Sequence, residues 1–275
     1  MGRLILVANR LPVSVDLSGG QVKVQPSSGG LATGMRGLAK AEDVSWVGWP
    51  GGTPDSDEQR ANLEAQLREH SATPVYLSAH EAERFYEGMS NSVIWPLFHY
   101  LVDRMPLFVR DFDEYRAVNE RFADAVCAQA GEDDLIWVHD YHLLLLPAIL
   151  RERLPRARIG FFLHIPFPSS EIFRLLPHRE HLLRGLLGAN LIGFHTYSYA
   201  RHFADALLGT LGIEPELDRV DVEGRTVSLG VFPMGIDVAS FERMAASPEL
   251  PARVAELRRA QGVEQLLLGV DRLDY

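Results

Sequence analysis

Short apolar runs alternate along the chain with stretches in which apolar residues return every three or four positions. The runs are Leu4–Val7, Ser45–Trp49, Pro74–Leu77, Leu135–Val138, Ile159–Leu163, Leu191–Phe194 and Ser228–Phe232. Several are apolar throughout, the pattern of a strand covered on both faces of a parallel sheet. Between them, Asp57–His70, Phe112–Ala130, His142–Arg153 and Ser198–Leu211 read as amphipathic helices. In the second of these, Phe112, Tyr115, Val118, Phe122 and Val126 form one stripe. This order predicts a doubly wound α/β domain. Two hairpins decorate it: Val13–Asp16 with Gln21–Gln25 across Leu-Ser-Gly-Gly, and Arg219–Val222 with Arg225–Ser228 across Glu223-Gly224.

Pro233 and Gly235 interrupt the pattern and divide residues 1–234 from 235–275. Ser240–Gly262 reads as helix broken at Pro248, and Leu266–Val270 as another buried strand with no helix after it. The expectation is a fragment that carries only the opening of a second domain. Its last strand would leave an apolar surface, prone to instability or self-association, and a homo-oligomer is compatible with this reading.

Composition narrows the field. Thirteen Phe, four Trp and eight Tyr in 275 residues supply a large core and exclude a wholly disordered chain. A formal charge of -10 argues against non-specific nucleic-acid binding, so an anionic ligand must be met by a few local arginines and helix ends. The single cysteine, Cys127, has no internal partner and reads as a buried apolar residue of a reducing compartment. The opening apolar run is far too short to cross a bilayer, so cytoplasm is expected, with no membrane contact.

In open parallel sheets ligands bind outside the carboxyl ends of the strands, and the polar residues there are the candidates for chemistry. Arg10 follows the first run. Gly29-Gly30 open a helix, where backbone N–H groups can approach a phosphate, although the same pair also makes an ordinary turn. His139, Asp140 and His142 cluster after the fourth run without the spacing of metal ligands. His164 follows the fifth, either as a ligand contact or as a core histidine bonded to backbone. Phe85–Pro96 interleaves aromatics with polar residues, which suits a sugar and equally suits a helix end docked on the core. Arg272, at the end of the final run, suits a diphosphate, or pairs locally with Asp271 or Asp274.

Taken together these motifs cease to be independent. Ala8–Val13, Gly29–Gly34, Ser90–Pro96, Trp137–His142, Gly160–Pro168 and Gly269–Tyr275, in that order, resemble the trehalose-6-phosphate synthase family, glycosyltransferase family 20, over essentially the whole chain. The resemblance implies the GT-B fold: a Rossmann-like parallel sheet with helices on both faces, followed by a second, here truncated, Rossmann-like domain. It implies a retaining transferase that moves glucose from UDP-glucose to glucose 6-phosphate without a cofactor or metal. Arg10, Tyr86, Trp95 and Asp140 would bind the acceptor, and Gly29, Gly30, His164 and Arg272 the donor. Asp140, His164 and Arg272 would form the catalytic set, and the fragment alone would be inactive. Related enzymes that make glucosylglycerol phosphate or couple pseudo-sugars, and a non-catalytic regulatory homologue of the same complexes, remain alternatives on sequence grounds.

Overall fold

The structure is a computed structural model and describes residues 2–17, 22–27, 30–35 and 43–269. It divides into two compact units, residues 1–233 and 234–275. The first contains β1 (Leu4–Arg10), β2 (Val13–Asp16), β3 (Lys23–Pro26), β4 (Val44–Trp49), β5 (Ala72–Pro74), β6 (Leu135–His139), β7 (Arg158–Phe162), β8 (Leu191–Phe194), β9 (Arg219–Val222) and β10 (Arg225–Val231). Eight strands form one sheet in the order β5-β4-β1-β6-β7-β8-β10-β9, and β2 pairs with β3 alone. Every contact in the large sheet is parallel except β9 with β10. The α/β fold expected from the sequence is the fold observed.

The continuous apolar runs have the cause inferred for them. Along β1, Ile5 and Val7 enter the larger hydrophobic cluster while Leu6 enters a second one, on the alternation a strand imposes. All three are fully buried, each contributing about 1.5–3 kcal/mol. The helix Asp57–Glu69 supplies Leu63 and Leu67 to the smaller cluster, and Phe112–Cys127 supplies Phe112, Tyr115, Val118 and Phe122 to the larger. The first of these helices begins at Ser56, whose side chain accepts from the Gln59 N–H, with Asp57 and Glu58 in the first turn. The helix Tyr197–Leu211 starts likewise at Thr196 and stops at Gly212, where φ is +67°.

Three local differences from the sequence reading have physical causes. The edge strand β5 covers Ala72–Pro74 rather than Pro74–Leu77; Pro74 turns its nitrogen, which has no N–H, to the outer edge, and the last bond to β4 runs from the Val75 N–H to the Gly48 carbonyl at 2.9 Å. Phe85–Pro96 belongs to a helix of i→i+5 winding, Ala82–Ile94, that runs directly into the helix Trp95–Phe98. Cys127 is only half-buried, at the edge of the larger cluster, and burial raises its thiol pKa.

In the second unit Val238–Ala245 and Leu250–Gln261 are helices, separated near Pro248 as expected. Asp237 caps the first by accepting the Ser240 N–H at 3.0 Å. Leu266–Gly269 form no strand, contrary to expectation, since none of the described residues offers them a ladder. Val270 lies outside the described residues. Among the described residues no helix is long and apolar enough to cross a membrane.

Candidate active site

The parallel strands bring their carboxyl ends to one edge of the sheet, and the polar residues predicted for the site gather there in two groups. The first is a column of rings under a guanidinium. Arg10 ends β1, opposite Trp49 at the end of β4, and its carbonyl accepts from Trp46 Nε1 at 3.2 Å. The Arg10 Cζ lies 4.7 Å from the centroid of the Trp49 ring. Trp49 meets Tyr86 edge-on at 5.8 Å, and Tyr86 stacks on His142 at 5.6 Å with 12° between planes. Gly51, at φ +95°, makes room for the guanidinium, since a Cβ there would lie 2.2 Å from Arg10 Nη2. No carboxylate pairs with Arg10 among the described residues. Burial draws Arg10 below the ordinary guanidinium range, and Tyr86 opposes that shift. A cation held on aromatic faces, with no carboxylate partner among the described residues, has the chemistry to receive an anion.

The second group is hydrogen-bonded and largely buried. Asp140 follows β6 with φ +74° and ψ 170°, a conformation that costs a non-glycine residue about 1–3 kcal/mol. Its N–H donates to the Phe162 carbonyl at 2.8 Å, and its Oδ1 accepts the His164 N–H at 3.2 Å, so the ends of β6 and β7 are tied together. The turn that follows is clamped from below by the helix Phe112–Cys127. Tyr115 Oη donates to the Tyr141 carbonyl at 2.7 Å and accepts the Leu144 N–H at 3.0 Å, and Asn119 Nδ2 donates to the His142 carbonyl at 3.1 Å. Burial pushes the Asp140 carboxyl up to about 7, against the N–H groups of Tyr141 and His164.

His164 stands beside Asp140 with its Nε2 3.0 Å from His139 Nδ1. Burial lowers His139 to about 3 and His164 to about 4, each helped by a neighbouring histidine, so both rings are neutral at pH 7. His142, also neutral, is lowered by burial to about 3. Among the described residues no group of three His, Cys, Asp or Glu is placed to hold a metal ion.

The structure thus joins Arg10 to Tyr86 and Asp140 to His164, and His142, two residues after Asp140, carries the ring on which Tyr86 stacks. Trp95 is half-buried on the same helical segment as Tyr86 and stacks on His99 at 3.9 Å. Gly30 opens the short helix Gly30–Gly34, and no described residue lies within 4 Å of where its Cβ would be. Gly29 and Arg272 lie outside the described residues. Sequence reasoning missed Trp49, Gly51 and His195. The first and last were detectable as an aromatic and a histidine at strand ends, Trp49 closing β4 and His195 following β8.

A family model described as glycosyltransferase family 20 matches residues 2–275. Among similar proteins, an α,α-trehalose-phosphate synthase [UDP-forming] 2 of Aspergillus niger is 46% identical over 99% of this chain and 58% of its own length. The synthase A of Dictyostelium discoideum is 45% identical over the whole chain and 37% of its own length. The chain therefore spans roughly one third to three fifths of such relatives. Among solved structures, the N-terminal domain of a Candida albicans trehalose-6-phosphate phosphatase superposes with a TM-score of 0.79 at 32% identity, over 94% of this chain and 54% of the other. A Burkholderia xenovorans trehalose-phosphate synthase in complex with glucose-6-phosphate gives 0.74 at 29%, over 94% and 55%. An E. coli structure bound with UDP-2-fluoro glucose gives 0.74 at 32%, over 94% and 54%.

Proposed function

The chain belongs to glycosyltransferase family 20, and from that premise we propose that it is the acceptor-binding portion of a retaining enzyme. That enzyme transfers glucose from UDP-glucose to glucose 6-phosphate, giving α,α-trehalose 6-phosphate and UDP. Such relatives as the Burkholderia xenovorans complex with glucose-6-phosphate and the E. coli structure bound with UDP-2-fluoro glucose support both substrates. A cytoplasmic setting goes with this reading, as the single cysteine suggests.

The observation that carries the proposal is Arg10, a guanidinium without a carboxylate partner among the described residues, laid on Trp49 at the carboxyl edge of the sheet. Arg10 and Tyr86 grip the acceptor phosphate, and Trp95 and Asp140 hold its sugar. His164 faces the transferred glucose, Gly29 and Gly30 contact the donor through backbone, and Arg272 neutralises the leaving diphosphate. In the transfer, the acceptor hydroxyl oxygen bonds to the anomeric carbon on the face from which UDP departs. The bond from that carbon to the phosphate oxygen breaks, and the hydroxyl proton passes to the departing phosphate. The protein's contribution is position and charge: Asp140, its carboxyl held by the His164 N–H, orients the acceptor, and neutral His164 stays beside it without forming a covalent bond.

Titration of residues 1–275 with glucose 6-phosphate and with glucose tests this reading. The phosphate ester is expected to bind at least about thirtyfold more tightly, and equal affinities would refute the phosphate site. The same 275 residues are expected to release no UDP by themselves, because donor and acceptor must be held together at near-attack distance.

The Candida albicans domain favours a second reading, since it carries this fold within a protein named as a phosphatase. In that reading the chain binds the sugar phosphate and catalyses nothing. UDP release by a protein that contains these residues and a complete donor side would exclude it.

A further inference from the structure

The adjacent parallel strands β6, β7 and β8 each deliver a histidine at or just beyond the carboxyl end: His139, His164 and His195. The middle ring is held by its neighbours. Besides the 3.0 Å contact with His139, it has the Phe162 ring at 4.7 Å and the His195 ring at 5.6 Å, the latter at 64°. His139 is fully buried beside Trp137, whose ring is 4.6 Å away, and its Nε2 has no hydrogen-bond partner among the described residues. His164 is half-buried, and its Nδ1 has no partner among the described residues.

Two neutral imidazoles in this contact share a single proton between the facing nitrogens, and it belongs to one ring or the other. If His164 Nε2 carries it, His139 must carry its own proton on Nε2, leaving an N–H buried without an acceptor. If His139 Nδ1 carries it, the orphaned atom is only a lone pair. Buried N–H groups without a partner are the rarer and costlier case.

We propose that His139 is a positioning residue, donating its Nδ1–H to His164 Nε2 and thereby fixing His164 as the Nδ1–H tautomer. His164 then offers a hydrogen-bond donor, not an acceptor, at the carboxyl edge. The group it meets must be an oxygen with a free lone pair, such as a sugar hydroxyl or ring oxygen. That last step rests on the reading of His164 as the residue facing the transferred sugar; the tautomer itself does not.

The tautomer is measured on the ligand-free chain with 15N-labelled histidine, from long-range couplings between ring nitrogens and ring C–H protons. The His164 signals are assigned by their loss in His164→Gln. The native chain is expected to hold His164 as Nδ1–H in at least about tenfold excess. His139→Asn, whose amide N–H₂ can replace the donor, should retain that excess, and His139→Leu should bring the two forms toward equality. A native His164 protonated on Nε2 would overturn the proposal, and so would an unchanged tautomer in a folded His139→Leu. Should His139→Leu fail to fold by circular dichroism, the native chain and His139→Asn still decide. Because no substrate is present, a failure here leaves the sugar-phosphate reading standing, and loss of glucose 6-phosphate binding would leave the tautomer standing.

Discussion

Arg10 and Asp140 sit at the same edge of the same sheet and are held there by opposite means. Arg10 keeps solvent access although its guanidinium is partly covered by rings, is accommodated by the bare α-carbon of Gly51, and is free of any carboxylate among the described residues. Asp140 is strained, half-buried and fastened by backbone hydrogen bonds to β7. The Arg10 group makes few hydrogen bonds that folding depends on, so its charge is available to a ligand. The Asp140 group is part of the framework, so its chemistry and its stability are coupled. On the proposed reading, a residue that binds a phosphate can be placed by shape, whereas one that holds a hydroxyl at the reacting centre is placed by a network.

The largest expected effect breaks that network from beneath. In Tyr115→Phe, the Tyr141 carbonyl and the Leu144 N–H both lose the hydroxyl between them and stay buried. Stability to urea should fall by about 2–4 kcal/mol, while Asn119 still holds the His142 carbonyl beneath the Arg10 column and glucose 6-phosphate affinity falls less than threefold at 10 °C. A loss under about 1 kcal/mol would mean that the turn after Asp140 does not need its clamp.

Next is Arg10→Ala, which removes the charge-assisted contact proposed for the acceptor phosphate. Affinity for glucose 6-phosphate should drop by about 30- to 150-fold, or about 2–3 kcal/mol, with the urea midpoint almost unchanged. Titration calorimetry beside an unfolding curve separates the two. If stability fell as much as affinity, the two groups would not differ in the way described.

The two groups also differ in how far the sequence revealed them. The strands that carry them were legible, because β1, β4, β6, β7 and β8 are apolar runs and sit inside the sheet. Arg10, Asp140 and His164 could be marked as strand-end residues for the same reason. The partners could not. Trp49, Tyr86 and His142 are 37 and 56 positions apart in sequence, and only the folded topology makes them one column. The positive φ of Asp140 leaves no trace in residue type, because aspartate is common in ordinary turns. The winding of Ala82–Ile94 was hidden as well: Phe85, Met89 and Val93 repeat every four positions, as they would on an α-helix. Leu266–Gly269 failed for the converse reason, since an apolar run becomes a strand only where another strand meets it.

The smallest expected effect is also the one that grows with pH. The Asp140 carboxyl titrates near 7 in the folded chain and near 3.9 when unfolded. A raised folded value means that its favourable contribution is complete below about pH 4 and is lost as pH climbs through about 7. Asp140→Asn keeps an oxygen for the His164 N–H and has no charge to bury, so it escapes that loss. The variant should match the native chain at pH 4, then gain on it steadily, reaching about 1–2 kcal/mol at pH 8 once solvent access to the half-buried group is allowed for. His139 and His164 titrate below their unfolded values and so favour folding above pH 6.5, but they are common to both proteins and cancel in the difference. Urea unfolding of both chains at pH 4, 6 and 8 reads the trend directly. A constant difference across that range would place the Asp140 carboxyl in water and detach it from the network that sets it apart from Arg10.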